Sequence, residues 1–114
     1  MNAPPTRKAD IMHAVVGFWT VDEALRAERV RGLHEEVIPI TSSQPGFVSG
    51  YWMHDPETGK SHTTIVFDDR ESADRFKSVV EARSRRAAQV GTADILAVVD
   101  VEAHAQAASP ESVR

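Results

Sequence analysis

His13 and His62 each open a short apolar run, His13-Ala-Val-Val-Gly-Phe18 and His62-Thr-Thr-Ile-Val-Phe67. A neutral imidazole at such a position can accept a proton, pass one on or ligate a metal. General acid–base work is the sharper reading of these two residues; a partly buried polar residue at a strand end is the plainer one. Metal binding lacks a cluster of further ligands nearby in the sequence. His34 sits beside Glu35 and Glu36 and reads as solvated, His54 falls at a hairpin and His104 in the C-terminal tail. Tyr51 and Ser49 carry hydroxyls that can orient a polar aromatic molecule in a cavity, or find a backbone partner within a packed core. Asp68 and Asp69 form a pair of adjacent carboxylates. Their place at a helix start favours capping and macrodipole stabilisation over catalysis. Arg83, Arg85 and Arg86 cluster late in a helix, where cations stabilise the C-terminal end of the dipole or receive an anionic headgroup.

Composition narrows the classes. The chain has 114 residues, enough for one domain, and no cysteine, which removes disulfides, thiolate metal sites and cysteine nucleophiles together. A formal net charge of -4 gives no electrostatic footprint for nucleic acid or an anionic membrane. No apolar run approaches the roughly 20 residues of a membrane span. The N-terminus lacks the apolar core of a signal peptide, so a cytoplasmic location is expected. No Gly-rich phosphate loop or dinucleotide fingerprint is present, and no cofactor is expected.

The elements that must position these residues announce themselves through an internal echo. Adding 49 to the numbers of His13, Phe18, Ala24 and Arg26 gives His62, Phe67, Ala73 and Arg75, with Val16 returning as Ile65 and Asp22 as Glu71. Repeats of this length report a repeated supersecondary unit. Ile11–Phe18 reads as a strand. Thr20 and Glu23 have capping-box spacing, and a helix is expected over Val21–Val37, stopped by Pro39. Pro45-Gly46 is a turn and Phe47–Met53 a second strand. Asp55–Lys60 is a hairpin loop, His62–Phe67 a third strand, and Asp68 with Glu71 starts a second helix that turns Ala73, Phe76, Val79 and Val80 inward. Ala93–Val101 is the fourth strand. Residues 1–10 and 103–114 are expected to be disordered, leaving 11–102 as the folded domain.

The order β-α-β-β-α-β is that of the ferredoxin-like α+β fold: a four-stranded antiparallel sheet, order 4-1-3-2, with both helices on one face. The echo sets the expected strand phase. It turns Ala14, Val16 and Phe18 of the first strand and Thr63, Ile65 and Phe67 of the third toward the helices, with Ile95, Ala97, Val99 and Val101 of the fourth. The open face then carries His13, Val15 and Gly17, His62, Thr64 and Val66, and Phe47, Ser49, Tyr51 and Met53. Such a face is too apolar to stay wet, and a homodimer closing two of them is expected. His13 and His62, starting adjacent antiparallel strands, should lie at opposite ends, roughly 16–17 Å apart at 3.3 Å per residue.

Pro45-Gly46-Phe47-Val48-Ser49-Gly50-Tyr51-Trp52, the Asp-x-x-x-Gly hairpin and Ile65-Val66-Phe67-Asp68-Asp69-Arg70-Glu71-Ser72-Ala73 together resemble the dimeric α/β-barrel superfamily, in particular its antibiotic biosynthesis monooxygenase-like branch. The resemblance spans nearly all of 11–102. It implies a homodimeric barrel with a small hydrophobic or aromatic molecule in each subunit. If the protein is an enzyme, it implies a cofactor-independent monooxygenase acting on a phenolic or quinol-type molecule. On that implication His62 or His13 would serve as base, Tyr51, Ser49 and Thr64 would contact substrate, and Trp19 and Phe76 would wall the cavity. The haem-degrading relatives need a histidine about nine residues after an aromatic of the second helix. Here Phe76 is followed at that distance by Arg85, which does not ligate iron. The alternative is a non-catalytic ligand-binding or stress-associated barrel.

Overall fold

The computed structural model describes residues 11–86 and 91–107. The expected disordered arm, 1–10, lies outside them, as does most of the expected tail. Four strands, β1 His13–Val21, β2 Phe47–His54, β3 Lys60–Phe67 and β4 Gly91–Asp100, form one antiparallel sheet in the order β2-β3-β1-β4. This is the ferredoxin-like sheet read from the sequence.

The chain between β1 and β2 is a segmented helical arm: a 3-10 turn Glu23–Leu25, α1 Arg26–Gly32, a π-helical turn Leu33–Val37 and α2 Ile38–Ser42. Its cap is Asp22, whose carboxylate accepts from the Ala24 N–H at 3.0 Å. The expected capping box fails because Thr20 still belongs to β1. Pro39 does not stop the helix either. It sits in the first turn of α2, where its missing N–H costs little. The preceding turn widens, so that the Ile38 N–H reaches back to the Leu33 carbonyl, a π-type bond that makes room for the proline ring. Along the whole arm only Thr41 is buried.

The second helix, α3 Arg70–Arg86, packs directly on the sheet. Asp69 caps it, accepting the Ser72 N–H at 2.7 Å. That bond holds the Asp69 carboxyl below the usual carboxylate range, while the hydrogen bond it shares with Asp69 raises Asp68. Of the two adjacent carboxylates, Asp69 is thus the helix cap. Ala73 and Phe76 enter the core with Val15, Ile65 and Phe67, and Phe47, Trp52, Val80, Leu96 and Val98 pack around them.

Gly46 explains the Pro-Gly-Phe motif. Its φ of +82° suits glycine, its carbonyl accepts the Asp68 N–H at 2.8 Å, and a Cβ there would stand 2.6 Å from Ser72 Oγ. The turn before β2 is thereby seated on the start of α3. Gly46→Ala is expected to lower stability by about 1–3 kcal/mol, through both the left-handed backbone and the clash, as read by urea denaturation.

Strand phase departs from expectation throughout β1 and β4 and at one residue of β2. Directly opposite residues of an antiparallel pair share a face, and Val15 lies opposite both Ile65 and Val98, Gly17 opposite Thr63 and Leu96. His13, Val15, Gly17 and Trp19 therefore face the helices, with Leu96 and Val98 of β4. Val16 and Phe18 look outward, and so do Ile95, Ala97 and Val99. The phase of β3 is as expected. In β2 a bulge between Phe47 and Ser49 turns Phe47 inward, edge-on to Phe67, while Ser49, Tyr51 and Met53 stay on the open face.

Candidate functional site: a cavity under the helical arm

The helical arm stands off the sheet, and the space between them is a cavity of about 720 Å³. Its floor is the helix side of the sheet, including Trp19, Trp52, Thr63 and Leu96; α3 contributes Phe76 and Val79 as a wall, and the half-buried Leu25, Leu33 and Val37 form the roof. The spacing of those arm residues is an amphipathic stripe. It faces the cavity, and none of the three is fully buried.

Close approach at Gly17 makes room for the indole of Trp19. A Cβ at Gly17 would come within 2.7 Å of Trp19 Nε1 and 2.9 Å of Thr63 Oγ1. The indole N–H donates to Thr63 Oγ1 at 3.2 Å, fixing the ring across the cavity floor.

An ion pair and a histidine–carboxylate contact join the roof to the walls. Arg83 Nη2 of α3 donates to Glu36 of the π-turn at 3.3 Å. Toward the hairpin, His54 Nε2 stands 2.9 Å from Glu23 Oε2. His54 lines the cavity and its side chain is 13% exposed; its Nδ1 is buried, with no hydrogen-bond partner among the described residues. No group of three or more histidine, aspartate or glutamate side chains converges among the described residues as a metal cluster would.

The residues expected to form one site fall into three places. Trp19 and Phe76 line the cavity. His62, Thr64, Tyr51 and Ser49 lie on the opposite, bare face of the sheet, where the His62 ring packs 4.4 Å from that of Phe18. His13 lies at the far end of the helix side, opposite Phe67 and away from the cavity. Its Nδ1 is 3.0 Å from Asp100 Oδ1, off the line of a hydrogen bond. The two histidines are five residues apart along the β1–β3 pair, as expected, but on opposite faces.

His54, with Glu23 beside it, is a cavity residue that sequence reasoning passed over. The signal for His54 was available: if Ser49, Tyr51 and Met53 face outward, then Gly50, Trp52 and His54 face the helices.

The bare face is apolar and exposed. Tyr51 is 64% exposed and Ile95 53%, with Phe18, Met53 and Val99 also open. Toward one end Lys60 Nζ donates to Asp94 at 2.9 Å and to Thr20 Oγ1 at 2.8 Å, and the Thr20 hydroxyl donates to Asp94. Lys60, then Thr20, hold the Asp94 carboxyl below its usual range.

No family model and no curated protein sequence matches the chain. Solved structures do share its fold. A protein of unknown function from Nitrosomonas europaea superposes with a TM-score of 0.69 at 12% identity, over 89% of this chain and 99% of that one. SnoaB of Streptomyces nogalater, described as a cofactor-independent oxygenase, gives 0.59 at 17% identity, over 88% and 98%. A Chloroflexus aurantiacus protein that carries the provisional name antibiotic biosynthesis monooxygenase gives 0.58 at 23% identity, over 82% and 97%. The chain has the ferredoxin-like fold of these structures.

Proposed function

We propose that the protein holds a small hydrophobic or aromatic molecule in the cavity between its sheet and its helical arm, and that it works as a homodimer closed through the bare sheet face. The observation that carries this reading is the cavity itself. Its volume of about 720 Å³ lies within the range of small-molecule sites, and aromatic and aliphatic side chains dominate its walls. Fold analogy with SnoaB supports a reaction class, cofactor-independent monooxygenation of a phenolic or quinol-type molecule. In such a reaction the protein supplies orientation and proton transfer. Trp19 and Phe76 would be the walls of the ligand site. His62, Thr64, Tyr51 and Ser49 would face the second copy.

One observation favours the non-catalytic alternative, a ligand-binding or stress-associated barrel: neither His13 nor His62 lines the cavity. Calorimetric titration with an anthrone- or quinol-type molecule, run beside oxygen uptake, separates the two. Binding with uptake supports the oxygenase, and binding without uptake the carrier. Leu96→Phe, which fills the cavity floor, is expected to weaken binding about tenfold or more, or about 1.4 kcal/mol. Unchanged affinity in that variant would remove the cavity from the reading.

A further inference from the structure

We propose that the cavity ligand carries a carboxylate and that Arg29, with Arg26 beside it, receives that group. This inference deepens the cavity reading and rests on it. Arg29 lies on the roof stripe itself, four residues after Leu25 and four before Leu33. Side chains at that spacing share one side of a helix. Arg29 is half-buried and lines the cavity. Its Nη1 donates to the Asp22 carbonyl at 3.5 Å, so the guanidinium reaches the end of the cavity where the arm leaves β1. That long contact is its one hydrogen bond among the described residues, and it forms no ion pair with their carboxylates. A guanidinium has five N–H donors to satisfy. Drawing such a charge partly out of water is unfavourable unless an anion offsets it.

The acidic groups nearby are already engaged. Of those that line the cavity, Glu28 faces Arg31 and Glu36 faces Arg83. Arg83, one of the arginines the sequence offers for an anionic headgroup, is thus held by Glu36. Asp22 and Glu23, which open the arm, are turned to the Ala24 N–H and to His54. Arg26, three residues before Arg29, also lines the cavity and pairs with no carboxylate among the described residues. A chain of formal net charge -4 therefore places two cations, one helical turn apart, on an apolar cavity without matching them. The arginine fork fits a carboxylate through two parallel N–H···O bonds. The ligand class is an aromatic or aliphatic carboxylic acid bound as its anion. Its acid group lies at the β1 end of the arm, and its apolar body lies beneath the roof against Trp19 and Phe76. This holds for an oxygenase and a carrier alike.

2-Naphthoate and 2-naphthalenemethanol share a fused-ring body and differ in charge. Calorimetric titration into the full-length protein at neutral pH is expected to show the acid binding about tenfold more tightly than the alcohol. Arg29→Met keeps an apolar stem in the roof and removes the charge. It should reduce that preference to about threefold or less and leave the affinity for the alcohol within about twofold. Arg75→Met removes an equal charge from α3, outside the cavity lining, and should change neither affinity. A preference that falls equally in Arg75→Met would trace to net charge and overturn the assignment. Equal binding of acid and alcohol by the wild type, or an unchanged preference in Arg29→Met, would also overturn it while leaving the cavity as ligand site. Failure of the wild type to bind either molecule would overturn the cavity reading and this inference with it. If Arg29→Met does not fold, judged by circular dichroism, the wild type decides. Its preference for the acid should shrink as salt is raised, and a preference indifferent to salt overturns the proposal.

Discussion

Replacing Phe67 with alanine is expected to cost the fold about 3–5 kcal/mol, the largest loss of any single side chain here. Phe67 is 0% exposed. It ends β3 at the point where three layers of contact meet: Phe47 edge-on at 6.2 Å between ring centroids, Phe76 of α3 at 5.2 Å, and the backbone of β1 opposite. Truncation would open a void between α3 and the sheet that neither phenylalanine can close alone. A domain of this size is stable by about 5–15 kcal/mol, so the variant should be close to its unfolding threshold at room temperature. The free energy extrapolated from urea denaturation is the measure. A loss under about 1 kcal/mol would contradict the packing described.

The second large effect concerns assembly. Phe18 and Ile95 face each other across β1 and β4 on the bare side of the sheet, 44% and 53% exposed in the single chain. In a two-fold dimer formed through this face each would be buried, and each substitution would occur twice. Phe18→Asp with Ile95→Asp would bury four carboxylates without partners, and burial of an unpaired charge costs several kcal/mol apiece. The expected result by light scattering is a dimer for the wild type and a monomer for the double variant at micromolar concentration. Ile40→Asp, an exposed apolar position on the helical arm, should leave the dimer intact. A monomeric wild type, or a dimer unaffected by the double substitution, would point to a different role for the face. The same geometry bears on His62: as a bare-face residue it should respond to substitution through assembly rather than through chemistry in the cavity.

Element order, sheet order and the inward stripe of α3 were legible in the amino-acid sequence because each rests on a signal with a fixed period. Ala73, Phe76 and Val80 mark one side of a helix whatever surrounds it. The phase of β1 was not legible. His13-Ala-Val-Val-Gly-Phe18-Trp19 is apolar at nearly every position, as strands covered on both faces are, so alternation gives no preference. The 49-residue echo then misled, because an odd offset reverses the face of every matched residue. It equated Val16 with Ile65, whereas Val15 shares the helix side with Ile65. Irregularities at Phe18/Trp19 in the β1–β4 ladder and at Phe47/Ser49 in the β2–β3 ladder add turns of phase that no strict alternation contains.

That one-residue slip decided how much of the site could be seen. It joined His62, Tyr51 and His13 on a single surface, although the sheet separates His13 from the other two. The phase of β2 was right beyond its bulge, and it held the information that His54 looks inward. The approach of Glu23 to His54 was beyond reach, since it depends on how a 3-10 turn exits β1. Pro39 was read as a terminator because local rules do not anticipate a π-turn placed just ahead of it.

The near-absence of buried side chains along the helical arm separates two inheritances within one short chain. What keeps the protein folded is written in the sheet and α3. The roof over the cavity is written in residues 23–42, where Thr41 alone is committed to the interior. Leu25, Leu33 and Val37 can therefore be exchanged at small cost to folding, and under the proposed reading the choice of small molecule could be retuned by rewriting the roof while the foundation stays unchanged.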